Sequence, residues 1–217
     1  MRTKITIEGT KPLLMHQDNI LWSEKVKDWT TDPDNKSKST PGDDRSPAFT
    51  WIGALYHDGE IVTMPSDNIM TMLREGGAQV RTGKGQQTFK AQTQSGIIPL
   101  DCDWPLYVDN KTIDVSEVLA LEFIDDFAEH ERVVIDHGFD LFVKRAKIGR
   151  SKHIRVRPIF RQWKVSGSVE IIDDQITVKI LESILSLAGR LKGLGDWRSS
   201  SKTSGGFGTF ISTVEVI

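Results

Sequence analysis

Between residues 144 and 164 the chain carries nine lysines and arginines and no acid: Lys144, Arg145, Lys147, Arg150, Lys152, Arg155, Arg157, Arg161 and Lys164. Cations at this density suit a phosphate backbone, because each neutralised phosphate releases counterions and makes binding salt-dependent. Solvated surfaces tend to mix the two signs of charge. His153, Phe142 and Phe160 interleave as groups that could stack on bases. A second candidate lies near the end, in "GLGDWRSSSKTSGGFGTF" (Gly193 to Phe210). There Gly205 and Gly206 let backbone N–H groups approach a phosphate, Arg198 and Lys202 add charge, and Phe207 offers a ring to a base. Its bland alternative is a flexible connection.

Other constellations carry less. Residues 114–140 hold nine acids against Arg132 alone, an acidic face for solubility or for docking a basic partner. His130 and His137 lie within it, but seven residues place them two helical turns apart, too far for shared metal ligation. His16 stands without a matched acid or lysine partner and reads as structural before catalytic. "GKGQQT" lacks the Gly-Lys-Ser/Thr ending of a phosphate-binding loop. "GRLKGLG" closes a helix, the wrong end for a dinucleotide site. No catalytic set, metal site or cofactor is expected.

The elements that must position these residues follow from periodicity. Ile5 and Ile7 alternate with Thr6 and Glu8 in a first strand. Asp58-Gly59 marks a hairpin turn within "FTWIGALYHDGEIVTMP". Ser66 caps a helix that Gly76-Gly77 end. "DLFVKRA" and "KHIRVRP" pair as a basic hairpin through "KIGRS". His153, Arg155 and Arg157 point one way, Ile154 and Val156 the other. Trp163, Val165, Val169 and Ile171 continue on odd numbers, so a bulge or bend is expected near Pro158–Arg161. Ile180, Leu181, Ile184, Leu185, Ala188 and Leu191 line the strongest helix. It is capped by Asp173, Asp174 or Thr177 and ended by Gly193. "TFISTVEVI" is a last strand. Stripped of excursions, the order approximates β-α-β-β-α-β, an α+β ferredoxin-like core. The expected organisation is a single domain of this fold over 1–217, with a flexible insertion at 17–50 and an inserted loop or helical subdomain at 78–140.

The chain has 217 residues, a formal charge of −2 and a single cysteine, Cys102. A disulfide framework is excluded, which fits a reducing cytoplasm. No apolar run approaches the ~20 residues of a membrane span, and "MRTKITIEGT" lacks a signal-peptide apolar segment.

The first strand running into "IEGTKPLLMH", and the late apolar helix followed by "GLGDWRSSSKTSGGFGTF", resemble the RAMP superfamily of CRISPR proteins. Within it the match is to the family that forms the helical backbone of RNA-guided complexes. The resemblance covers roughly the first 16 residues and residues 176–212. It implies an RRM-like core with a glycine-rich loop after the last core helix, and a non-catalytic protein of antiviral defence. It also implies head-to-tail polymerisation into a filament along a single-stranded guide RNA, with other effector subunits as possible partners and no membrane. Thr209 stands where that family has a basic residue, so Arg198 and Lys202 would supply the nearby charge. A divergent or phage-borne relative fits as well. Three other readings stay open. One is a RAMP-type endoribonuclease using His16 or His153 as acid/base. Another is a phage protein binding single-stranded DNA, and the third is a structural assembly protein.

Overall fold

The computed structural model describes residues 1–148, 151–203 and 205–217. In chain order the elements are β1 (Arg2–Gly9), β2 (Leu13–Leu14), α1 (Ile20–Thr31), a 3-10 helix (Ala48–Ala54), β3 (Thr63–Pro65), α2 (Ser66–Gly77), α3 (Lys90–Gly96), β4 (Ile97–Pro99), β5 (Asp103–Val108) and β6 (Lys111–Thr112). Then follow α4 (Ser116–Ala120), a 3-10 turn (Leu121–Phe123), α5 (Phe127–Asp136), β7 (Asp140–Ile148), β8 (Ser151–Phe160), β9 (Lys164–Ile171), α6 (Val178–Leu191) and β10 (Phe210–Val216). The protein is mixed α+β with antiparallel sheets. It divides into two compact units, one made of residues 1–13, 63–112 and 162–217, the other of 14–62 and 113–161.

Unit 1 is built on a sheet in the order β10-β1-β9-β5-β3, with β4 also on β9 and β6 on β5. Alternation does what the sequence predicts. In β9, Val165, Val169 and Ile171 are buried while Lys164, Ser166 and Ser168 face outward, and Ile5 and Ile7 of β1 are fully buried. Trp104 and Leu106 of β5 join this core, as do Ile69, Met72 and Leu73 of α2 and Leu181, Ile184, Leu185 and Ala188 of α6. Thr177 caps α6, its hydroxyl accepting from Ile180 N–H at 3.3 Å, and Gly193 ends it at φ +75°.

Gly76 and Gly77 do not end α2 by a left-handed turn. They lie inside its last turn, and their lack of a side chain has a packing cause. A Cβ on Gly76 would collide with Ile184 O and the Ala188 methyl, and one on Gly77 with Thr93 Oγ. Ser66 makes no capping bond, and Pro65 precedes the helix. The first part of the expected inserted loop or helical subdomain, residues 78–96, ends in α3.

Unit 2 contains the sheet β2-β8-β7. The β7–β8 hairpin forms in the register Asp140↔Ile159 through Ile148↔Ser151. The shift of buried parity near Pro158–Arg161 is not a bulge within one strand. β8 ends at Phe160, and β9 begins at Lys164 in the other sheet. The core gathers Trp51 and Ile52 of the 3-10 helix, Val134 of α5, Phe139 and Phe160. Phe139 and Phe160 stack at 4.9 Å, so Phe160 is a core ring with no exposed surface to offer a base.

Residues 17–50, read as a flexible insertion, include α1. Asn19 caps it by accepting from Trp22 N–H at 3.0 Å, and Trp22 Nε1–H donates to Phe49 O at 3.0 Å. The apolar run before Asp58-Gly59 is the 3-10 helix rather than a strand. The turn itself forms, with Gly59 at φ +103° and the Asp58 carboxylate accepting from Glu60 and Ile61 N–H. Those two N–H bonds hold Asp58 below the usual carboxylate range.

Candidate nucleic-acid interface

Within unit 2 the hairpin register sorts the basic residues onto two faces. Phe142↔Arg157, Lys144↔Arg155 and Ala146↔His153 share one face; Val143↔Val156, Arg145↔Ile154 and Lys147↔Lys152 share the other. Lys144, Arg145, Lys147 and Lys152 are exposed. Lys147 directly opposite Lys152 is a like-charge pair, which destabilises a sheet unless an anion screens it. Arg150 lies outside the described residues.

Not every cation of this run is open to a partner. Arg155 Nη1 donates to Asp44 Oδ1 at 2.8 Å, and the other oxygen of Asp44 accepts from Val156 N–H at 3.2 Å. The segment around Asp44 is itself laid along β8, with Ile154 N–H bonded to Gly42 O at 2.8 Å and Asp44 N–H to Ile154 O at 3.0 Å. His153 packs under Gly42, where a Cβ would collide with its ring, and its Nδ1 is buried without a hydrogen-bond partner. Arg161 is paired with Asp140.

Beside Arg155 and Arg157 opens a cleft of about 450 Å³, walled also by His16, Gln17, Asn19 and Trp22. Trp22 is a fixed wall: Gly53 abuts its indole and Lys25 Nζ sits 4.6 Å from its ring centroid. The cleft was not legible in the sequence, because Gln17, Asn19, Trp22 and Asp44 fall in the stretch read as flexible. The signal that could have found it is Asn19 before Ile20-Leu21-Trp22, a capping residue ahead of apolar positions.

In unit 1 the glycine loop is anchored. Arg198 donates from Nη1 and Nη2 to the two oxygens of Glu75, both at 3.1 Å, and Ser200 Oγ–H donates to Lys192 O at 3.1 Å. Trp197 takes φ +45°, and its ring lies 5.6 Å from that of Phe207. Leu194 N–H bonds to Gly208 O and Gly208 N–H to Pro12 O, both at 2.8 Å. A Cβ on Gly205 would overlap Trp197 O, whereas one on Gly206 would meet open space. Gly205 is therefore required by close approach and Gly206 is not. Lys202 is exposed. Lys164, the last of the basic run, belongs to this unit: Nζ donates to Asn110 Oδ1 at 3.0 Å, on an outer sheet face that also carries Lys4, Thr6, Tyr107 and Ser166.

The histidines of the acidic stretch have structural partners. His130 is fully buried, receives Trp51 Nε1–H on Nδ1 at 3.0 Å and donates from Nε2 to Ile124 O at 2.8 Å. Burial pushes its pKa below the ordinary histidine value, so the ring is neutral and both nitrogens are occupied. His137 Nδ1–H donates to Val133 O at 3.1 Å. Among the described residues no group of three His, Cys, Asp or Glu side chains could hold a metal ion, and no helix is long and apolar enough to cross a membrane. Comparison with protein-family models and with curated protein sequences finds no match to this chain.

Proposed function

We propose that the protein is a non-catalytic binder of single-stranded RNA, of the RAMP type, that assembles head to tail along a guide RNA in a cytoplasmic antiviral ribonucleoprotein. The observation that carries the RNA reading is the hairpin of unit 2. Lys147 opposite Lys152 puts two cations in register where a sheet would favour opposite charges, an arrangement that a polyanion relieves. The fold of unit 1 supports the RAMP reading. In sequence, β1, α2, β5, β9, α6 and β10 follow β-α-β-β-α-β. In space they follow β10-β1-β9-β5, with the first and third strands central. Such an order is compatible with an RRM-like core. The acids of 114–140 on one copy and the basic hairpin of the next are the complementary surfaces that a head-to-tail contact needs.

The test is fluorescence anisotropy with labelled RNA and DNA oligonucleotides of one sequence across a salt series. RNA binding with a steep salt slope is expected; absence of binding at low salt overturns the reading, and equal DNA affinity moves it to single-stranded DNA. A second reading, a RAMP-type endoribonuclease, is favoured by His16 on the wall of a cleft that also holds Arg155 and Arg157. Labelled RNA is expected to remain intact with or without magnesium. Cleavage abolished by His16→Ala would put the second reading first.

A further inference from the structure

We infer that the outer edge of β10 pairs with the same edge of a second copy, joining two chains of the RNA-free protein about a two-fold axis. The inference is independent of the RNA reading and uses none of its residues. The backbone fixes which groups are open. β10 is the end strand of the sheet of unit 1 and pairs only with β1. At the two ends of that ladder Ile217 N–H donates to Arg2 O at 3.1 Å and Thr10 N–H to Thr209 O at 2.8 Å. In an antiparallel pair, bonded residues alternate with non-bonded ones. Ile211, Thr213, Glu215 and Ile217 therefore direct their backbone groups to β1, and Ser212, Val214 and Val216 turn theirs outward. Among the described residues no backbone hydrogen bond meets those outward groups.

An open edge invites a further strand, and proteins ordinarily blunt it with proline, lysine, a bulge or a very short strand. The opposite side of this sheet is blunted so: β3 has three residues and ends in Pro65, and β6 has two, one of them Lys111. β10 is seven residues long, its register with β1 runs without a bulge, and Glu215 is its one charge. Ile211 and Val216 stand 61% exposed and Ile217 65%.

Self-complementarity names the occupant. Two antiparallel copies of this edge centred on Val214 bring Ser212 to Val216 of the partner subunit and Val214 to its own equivalent, so every outward group is bonded. On the outer face the same register sets Ile211 against the partner's Ile217 and Thr213 against the partner's Glu215. Centred on Glu215, the two glutamates would oppose each other; centred on Thr213, each Ile211 would face a glutamate. Like charges directly opposite destabilise a sheet, and apolar pairs stabilise it. The charge pattern thus selects one register, and that register gives each open apolar side chain a cross-strand neighbour. Glu215 keeps Lys4 beside it on β1. A contact of one strand lies at the low end of interface areas, so the dimer is concentration-dependent. Being isologous, it closes at two copies.

Sedimentation velocity on nucleic-acid-free protein across a concentration series reads the mass, which is expected to rise from one chain to two. Val214→Pro removes the central outward N–H, a change that an edge strand tolerates, and is expected to stay at one chain. Thr213→Glu sets a carboxylate against the partner's Glu215 twice per dimer and should weaken dimerisation about 5-fold. Thr213→Lys sets an ammonium there and should strengthen it by the same factor. Opposite responses at one exposed position do not come from a general loss of fold. A single chain at every concentration overturns the inference, as does a dimer that answers both Thr213 variants alike. Growth beyond two chains also overturns it, since the edge would then be pairing without closing. If Val214→Pro does not fold, the two Thr213 variants decide.

Discussion

The two units use arginine in contrasting ways. In unit 1, Arg198 is closed on Glu75 by a two-pronged bond and serves as the anchor of the glycine loop. In unit 2, Arg155 is likewise held by Asp44, yet its neighbours Lys144, Arg145, Lys147 and Lys152 stand exposed on the same hairpin. Cation count alone therefore overstates a binding surface. Arg155 and Arg161 belong to the acid-free run in sequence and hold the protein's own carboxylates in space. An arginine locked to a carboxylate builds the scaffold and is not available to a ligand.

The largest expected effect breaks the anchored loop. Gly208→Val puts a side chain at φ +70° into Leu194 O, a clash and a backbone strain together. It should cost about 3 kcal/mol or more, read from urea unfolding. Gly205→Val is expected to do similar damage, while Gly206→Ala should stay within about 0.5 kcal/mol. Equal losses at Gly205 and Gly206 would show that the loop is not held as described.

Next comes the buried pair of unit 2. His130→Ala leaves Trp51 Nε1–H without its acceptor and opens a cavity, a loss of about 2–4 kcal/mol near pH 7.5. Because burial lowers the folded pKa of His130, the unfolded chain takes up the proton first as pH falls. Its stabilising contribution is thus complete above the unfolded value of about 6.5 and is lost as pH drops below it. His57, also lowered by burial, acts with the same sign. Unfolding midpoints measured from pH 7.5 to 5 should fall in wild type and fall less steeply in His130→Ala. A flat wild-type profile would contradict the neutral buried ring.

The anchor and the hairpin are then separated. A double-mutant cycle of Arg198→Ala and Glu75→Ala should return a coupling of about 1–2 kcal/mol in stability. Lys147→Ala with Lys152→Ala should leave stability within about 0.5 kcal/mol and make the salt slope of RNA binding shallower by about 1.4 units, two phosphates' worth on a single strand. If the hairpin pair alters stability and not the slope, the contrast between the units is reversed. The smallest effect belongs to the exposed Arg2–Glu170 pair. Glu170→Gln should shift stability by less than about 0.5 kcal/mol.

These contrasts mark what could be read in the sequence. The hairpin, the alternation of β9 and the stripe of α6 were legible because strands and helices impose fixed periods on their apolar residues. So was the cap by Thr177. The 3-10 helix at Ala48–Ala54 was not, since a short apolar run has no period to distinguish it from a strand. Gly76 and Gly77 were read as a helix stop, although the reason for both lies in Ile184 and Thr93, many residues away. Of the candidate site, the charges were visible and their partners were not. Asp44 lies 111 residues from Arg155 and Glu75 lies 123 residues from Arg198, and spacing along the chain carries no trace of such pairs.

The position of β1 has a consequence for how the chain assembles. This strand lies between β9 and β10, bonded across the register Arg2↔Glu170 on one side and Thr3↔Val216 on the other. Neither neighbour exists until the last quarter of the polypeptide has been synthesised. At roughly 5–20 residues per second, the first strand waits many seconds on the ribosome for its partners. All residues of unit 2, by contrast, precede β9. The nested unit can therefore complete its hairpin and aromatic core first, while β1, with its apolar Ile5 and Ile7, is held in reserve. Long-range closure of this kind is slow. A ribosome-stalled chain ending at residue 161 plus a linker should already protect the β7–β8 amides from exchange while β1 remains unprotected.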